Sequence, residues 1–168
     1  MCKFILPECY ADTTLIEVLG YNKPNHIKGI GQVINVLDKN FKNKLGIGFV
    51  DKDKNGKSKR ENTEYILIIK YAHSNSLILK QKPNTKNYLI EHPNIENWLD
   101  KMADEFGIDK AKYGVSDLRT NHTRYKKQDI LKNEGFKNFV NALSQKQNSP
   151  LQTVKNWIEE LKKEHGVF

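Results

Sequence analysis

One stretch of the sequence decides the fold: LGIGFVDKD, residues 45–53. Its first six residues are apolar or glycine, which is typical of a strand buried on both faces inside a parallel sheet. The apolar run stops at Asp51, where acidic and basic residues begin. The stretch therefore predicts a buried strand of an α/β fold, with polar groups at its carboxyl end.

The residues before this stretch alternate between strand and helix signals. The apolar run at 3–6, ended by Pro7, predicts a first strand. Helices are expected from the capping residues 12–14 onward and over 31–42, with a second short strand over 24–28 between them. Residues 1–50 therefore follow a strand–helix–strand–helix–strand order.

The residues after the stretch contain further strands and then helices. Two β-rich segments joined by a short polar turn predict a hairpin. The predicted elements are strands over 65–71, 76–82 and 87–91, a helix from the Asn94 cap to about Gly107, and helices over 127–146 and 150–164. We expect an α/β fold with a small Rossmann-like, mostly parallel sheet flanked by helices and a helical C-terminal extension.

Composition limits the classes of protein to consider. The 168 residues suit one domain, and 28 Lys and Arg against 20 Asp and Glu give a net charge of +8, which favours polyanionic partners. Most of the cations are Lys, which suits phosphate backbones better than base edges. Two Cys cannot form a disulfide framework, and neither a basic-then-apolar leader nor a long apolar run is present. We therefore expect a cytoplasmic protein that binds nucleic acid and no membrane.

Three carboxylates follow the predicted strands directly. Glu8 comes after the first strand, and Asp51 and Asp53 come after the strand at 45–50. Ligands of α/β sheets bind at the carboxyl ends of the strands, and carboxylates with water or phosphate oxygens are the ligands that Mg²⁺ prefers. The pattern predicts a Mg²⁺ site suited to phosphoryl chemistry.

These motifs resemble those of a known family. The stretch Glu8-Cys9-Tyr10-Ala11-Asp12 after a strand is similar to the first motif of Toprim domains, and Asp51-Lys52-Asp53 to their second. Toprim domains occur in topoisomerases, primases of the DnaG type, overcoming-lysogenization-defect nucleases and phage-defence proteins. The resemblance covers roughly residues 2–100 and implies a Toprim-like α/β core over 1–107. From the helix signals we expect a polar loop and a helical pair over 108–168, packed on the same domain.

The resemblance also implies roles for individual residues. Glu8 would be the general acid/base, while Asp51 and Asp53 would hold Mg²⁺, with Mn²⁺ as an alternative. Asp12 matches a more variable acidic position that supports the site or caps the helix. Cys9 stands where these domains usually have Gly, so the backbone at this turn is expected to approach a substrate less closely.

A second acidic segment lies between residues 89 and 99. It is similar to the acidic stretch that follows Asp-x-Asp in Toprim-like proteins of the phage-defence type, which implies that Glu91 and Glu96 supply a second metal position. The alternative is that Glu91 is an edge residue and Glu96 interacts with the helix dipole.

The loop after Asp51 is basic and has several interpretations. Its cations, beside the proposed metal site, are expected to hold a phosphate backbone; they are Lys52, Lys54, Lys57, Lys59 and Arg60. An ordinary solvated turn is the simplest alternative. A calcium loop is disfavoured because its twelfth position is Asn62 rather than Glu, and a haloacid-dehalogenase-type site lacks its later acidic pair.

Three functions follow from this sequence, the third of them a small-molecule phosphohydrolase or phosphotransferase that acts on nucleotides and shows no salt-sensitive DNA binding. The first is a Mg²⁺-dependent phosphodiester enzyme acting on DNA or RNA, a nuclease in particular. The second is a non-catalytic Toprim-like module that binds nucleic acid or protein within a larger assembly. Since the chain contains no ATPase segment, a protein partner such as an ATPase is expected in either of the first two cases.

Overall fold

A five-stranded mixed sheet forms the centre of the structure. The structure is a computed structural model, and it describes residues 2–52, 64–71, 77–115, 118 and 128–167. The strands are β1 (Ile5–Pro7), β2 (Gly46–Asp51), β3 (Ile66–Lys70), β4 (Ile78–Gln81) and β5 (Asn87–His92). The α-helices are α1 (Tyr10–Val18), α2 (Ile30–Asn40), α3 (Ile95–Glu105), α4 (Glu134–Ser144) and α5 (Pro150–Glu164), with 3₁₀ turns at Lys110–Tyr113 and Gln128–Lys132.

The strand order is β1-β2-β5-β4-β3. The pairs β1–β2 and β2–β5 are parallel, whereas β5–β4 and β4–β3 are antiparallel. The expectation of an α/β fold is confirmed, but half of the strand pairings are antiparallel. The reason is the length of the connections: a parallel pair needs a long crossover, and β4 is too close in sequence to β3 and β5 to allow one.

Helices cover the two faces of the sheet unequally. On one face, α2 packs against the strands through a small cluster that includes Val33, Leu37, Val50 and Leu89. On the other face, side chains of α1, α3, α4 and α5 share one large buried cluster with Ile5, Ile47, Phe49 and Ile90. The two C-terminal helices therefore bury their apolar faces in the same core as the first strands.

Two predicted elements differ from the structure. No strand forms over 24–28, although Asn25 and Ile27 donate backbone hydrogen bonds to β1; Pro7 of β1, which has no N–H, cannot donate one back to this segment. The helix predicted over 127–146 is divided at Asn133, whose side chain accepts a hydrogen bond from the Phe136 N–H at 2.9 Å and begins α4. An Asn in this position is a strong helix-starting signal.

Candidate functional site

The carboxyl ends of β1, β2 and β5 meet at one edge of the sheet because these neighbouring strands are parallel. Glu8 follows β1 directly, and Asp51 is paired in register with His92 at the ends of β2 and β5. Asp12 on α1 and Glu96 in the first turn of α3 lie beside them. We call these five residues the strand-end cluster.

Glu8 links the ends of two strands to the beginning of a helix. Its Oε2 accepts a hydrogen bond from the Asp51 N–H at 3.1 Å, and its Oε1 accepts one from the Ile30 N–H at 3.2 Å. Ile30 is the first residue of α2, where unpaired N–H groups and the helix dipole favour a negative charge. Burial raises the pKa of Glu8, an effect that the two backbone donors oppose. A carboxyl group with a raised pKa, positioned by two backbone donors, is suited to taking up or releasing a proton.

Asp12 is fixed by the way α1 begins. Cys9 is the N-cap of this helix: its N–H donates to Asp12 Oδ2 at 3.1 Å, and the Asp12 N–H donates to the Cys9 sulfur at 3.4 Å. The backbone at Cys9 is extended, with φ of −133° and ψ of 173°, a conformation that any residue adopts. The turn therefore does not need a glycine at this position. Burial raises the pKa of the Cys9 thiol and keeps it uncharged.

His92 occupies the centre of the strand-end cluster and is fully buried. Its ring stacks on Phe49, with centroids 4.3 Å apart, and on Trp98, with centroids 5.5 Å apart. Nδ1 lies 2.7 Å from the carbonyl oxygen of Pro93 and 3.2 Å from Asp51 Oδ1, while Nε2 lies 3.3 Å from Asp12 Oδ1. The imidazole therefore stands between two carboxylates.

The charge of His92 follows from these neighbours. Burial alone lowers its pKa, but Asp12 and Asp51 outweigh this effect and raise the pKa to about 9. The contact with the Pro93 carbonyl also requires a proton on Nδ1, since a carbonyl oxygen only accepts. At neutral pH the side chain is an imidazolium that acts as an internal counter-ion for the acidic residues.

Acidic side chains outnumber basic ones in the strand-end cluster. Burial raises the pKa of Asp51; His92 opposes this shift, and Asp12, Glu8 and Glu96 add to it. Glu96 is only 2% exposed, and neither of its carboxylate oxygens has a hydrogen-bond partner among the described residues. One imidazolium therefore faces four acidic side chains, an arrangement that attracts a further cation.

The donors suit a hard cation in their chemistry. Oxygens on Asp12, Asp51 and Glu96 are buried without a hydrogen bond in the described part of the chain. Within the same residues, no three His, Cys, Asp or Glu side chains lie close enough together to hold a metal ion as they stand. The imidazolium between Asp12 and Asp51 is one reason that these carboxylates do not converge on a metal position, because it occupies the space between their facing oxygens.

The structure does not bring every candidate residue into the strand-end cluster. Glu91 precedes His92 on β5, so its side chain lies on the opposite face of the sheet, where it contacts Lys80 at 2.6 Å. Lys52 is exposed and directly follows Asp51. The other residues predicted for the metal site and the basic loop lie outside the described residues: Asp53, Lys54, Lys57, Lys59 and Arg60.

Sequence reasoning missed His92 because the histidines of the chain show no metal-ligand spacing. A different signal was available. His92 ends a buried strand, as Asp51 does, and it lies on the same face of β5 as the buried residues Tyr88 and Ile90. Only the parallel register of β2 and β5 shows that the two polar residues are neighbours.

Comparison of the chain with protein-family models, with curated proteins and with solved structures found no match in any of the three. Among the described residues, no helix combines the length and the apolar character needed to cross a bilayer. The candidate function therefore depends on the strand-end cluster itself.

Proposed function

We propose that the protein is a Mg²⁺-dependent phosphodiester enzyme acting on nucleic acid, a nuclease with a Toprim-like core. The observation that carries this proposal is the position of the Glu8 carboxylate, which accepts a hydrogen bond from the backbone of Asp51 at 3.1 Å. The acidic residues of two motifs, separated by more than forty positions in the sequence, thus lie side by side at adjacent strand ends. Active sites of α/β sheets are found at this edge.

The arrangement of the first fifty residues supports the Toprim-like interpretation. The chain passes from β1 through α1 to the segment at 25–27, which hydrogen-bonds to β1, and then through α2 to β2. The glycine-led start of α2 lies beside Glu8, since the Ile30 N–H donates to that carboxylate. Two of the four strand pairings in the sheet are parallel, and both involve β2.

Each side chain in the proposed site has a distinct task. Glu8, with its raised pKa, takes or gives the proton of the reaction. Asp51 and Asp53 would hold Mg²⁺, with Asp12 and Glu96 supporting them. Mg²⁺ held there would supply charge stabilisation at the phosphoryl oxygens. Lys52 and the basic residues that follow it hold the phosphate backbone of the substrate.

The proposal is tested by cleavage of plasmid and single-stranded substrates with Mg²⁺ or Mn²⁺. We expect Glu8→Gln and Asp51→Asn to reduce the rate by about 10²- to 10⁴-fold, the range for loss of an acid–base group or comparable catalytic group. Asp104→Asn, at an exposed position of α3, is the matched control and should retain the wild-type rate. Equal background cleavage by the wild type and both cluster variants would show that the protein is not this enzyme.

A second function, a non-catalytic Toprim-like module that binds nucleic acid or protein, is favoured by one specific observation. His92 already places a positive charge between Asp12 and Asp51, so a metal ion is not needed to neutralise these two carboxylates. Binding of Mn²⁺ measured by electron paramagnetic resonance separates the two functions. Absence of metal binding at millimolar concentration, with salt-sensitive nucleic-acid binding retained, would favour the module. An ATPase as protein partner and a cytoplasmic location stay predictions from the sequence.

A further inference from the structure

The edge strand β3 exposes four successive large aliphatic side chains. Ile66 is 55% exposed, Leu67 58%, Ile68 43% and Ile69 42%, although every residue of β5 is buried. The strand pairs with β4 along one edge, and no other strand of the described residues pairs with its second edge. With respect to the described residues, both the side chains and one row of backbone groups are therefore available to a partner.

Such an edge is unusual in a monomer. Edge strands are ordinarily protected by charged residues, prolines or bulges, because an open apolar edge binds further strands. Residues 66–69 contain no charge and no proline; of the three protections they have only a bulge, between Leu67 and Ile69, and all four side chains stay exposed beside it. The composition is that of an interface strand rather than a solvated edge.

The charges at the two ends of the strand indicate which partner fits. Glu64 precedes the aliphatic run and Lys70 ends it, and both residues are exposed. When two copies pair antiparallel with Leu67 on the two-fold axis, Glu64 of each copy lies opposite Lys70 of the other. Opposite charges in directly facing positions stabilise an antiparallel pair, whereas parallel pairing would place like charges side by side.

We propose that β3 is a homodimer interface, at which a second copy of this chain adds its own β3 antiparallel across a two-fold axis near Leu67. The sheet then continues from one subunit into the next: Leu67 faces Leu67 of the other copy, Ile66 faces Ile68, and Ile69 faces Tyr65. A two-fold interface of this kind is self-complementary and closed, so pairing stops at the dimer.

The size of the contact sets the expected strength. One pair of five-residue strands buries less surface than the roughly 1,200–2,000 Å² of a stable complex. Glu64 also contacts Lys82 within its own subunit, at 2.7 Å, so the pair with Lys70 adds to an existing contact. We therefore expect a dimer with a dissociation constant in the micromolar range, in equilibrium with the monomer.

Sedimentation equilibrium of the full chain over roughly 1 to 500 µM measures this association. We expect Leu67→Lys to raise the dissociation constant at least about tenfold, because two like charges would then face each other across the axis. Asn35→Lys, which adds the same charge at an exposed position of α2, is the matched control and should leave the dissociation constant unchanged.

A charge exchange tests the antiparallel pairing separately. Lys70→Glu places two acidic residues opposite each other and should weaken the dimer, and Glu64→Lys combined with Lys70→Glu should restore it. A wild-type chain that remains monomeric throughout this concentration range would overturn the proposal, and β3 would then be a candidate binding surface for a different protein. A dimer that Leu67→Lys leaves intact would also overturn it, because the interface would then lie on another surface.

Discussion

Replacing His92 tests whether a buried imidazolium holds the strand-end cluster together. The pKa of His92 rises from an ordinary value of 6.5 to about 9 in the folded protein. Each pH unit corresponds to 1.36 kcal/mol, so the rise of about 2.5 contributes about 3 kcal/mol to the free energy of unfolding. Because the pKa is raised on folding, this contribution is complete below pH 6.5 and is lost as the pH rises through about 9.

The variant His92→Gln removes the charge but keeps a polar side chain of similar size. Near pH 6 we expect it to be about 3–5 kcal/mol less stable than the wild type, because the Asp12 carboxylate, only 1% exposed, loses its cationic partner. The difference should shrink toward pH 9. The raised pKa of Asp51 also favours folding at lower pH. Because His92 opposes that rise, its loss raises the pKa of Asp51 further, which offsets part of the difference in slope between the two proteins.

Urea unfolding without divalent metal, at several pH values between 6 and 9, measures this effect. The wild type should lose stability across the range, and His92→Gln should lose less, by up to about 3 kcal/mol. His165→Gln, which removes the imidazole 2.9 Å from the Tyr88 hydroxyl near the end of α5, is the control and should keep the wild-type slope. An unchanged slope in His92→Gln would refute the imidazolium and leave a neutral ring as the explanation of the contacts.

Further predictions concern the packing and the helix ends that position the strand-end cluster. Gly48→Ala should lower the free energy of unfolding by about 1–3 kcal/mol, measured in urea, because its Cβ would lie 2.6 Å from Leu89 and 2.8 Å from Val33. Asn94→Ala should cost about 0.5–2 kcal/mol, because its side chain accepts the Asn97 N–H at 3.2 Å at the start of α3, and Asn94→Asp should retain most of the stability in the same assay. A full loss of folding in Gly48→Ala, or unchanged stability in Asn94→Ala, would contradict these assignments.

The candidate site could be predicted in part from local signals. Glu8 and Asp51 stand out because each follows an apolar run, and the parallel arrangement of neighbouring strands then brings them together. Glu91 and Glu96 belong to one acidic segment in the sequence, but the strand alternation sends Glu91 to the opposite face, where Lys80 pairs with it. Local sequence does not show which face of a doubly buried strand a residue occupies.

The sequence by itself determined the α/β class and the apolar strand at 45–50, because hydrophobic runs, helix caps and glycines act over a few residues. It also determined that carboxylates follow the strands. Only the tertiary structure decided that His92 stands between Asp12 and Asp51, that half of the sheet is antiparallel and that β3 lies uncovered at its edge. These features depend on the order and register of the strands, which are set by packing between residues far apart in the chain.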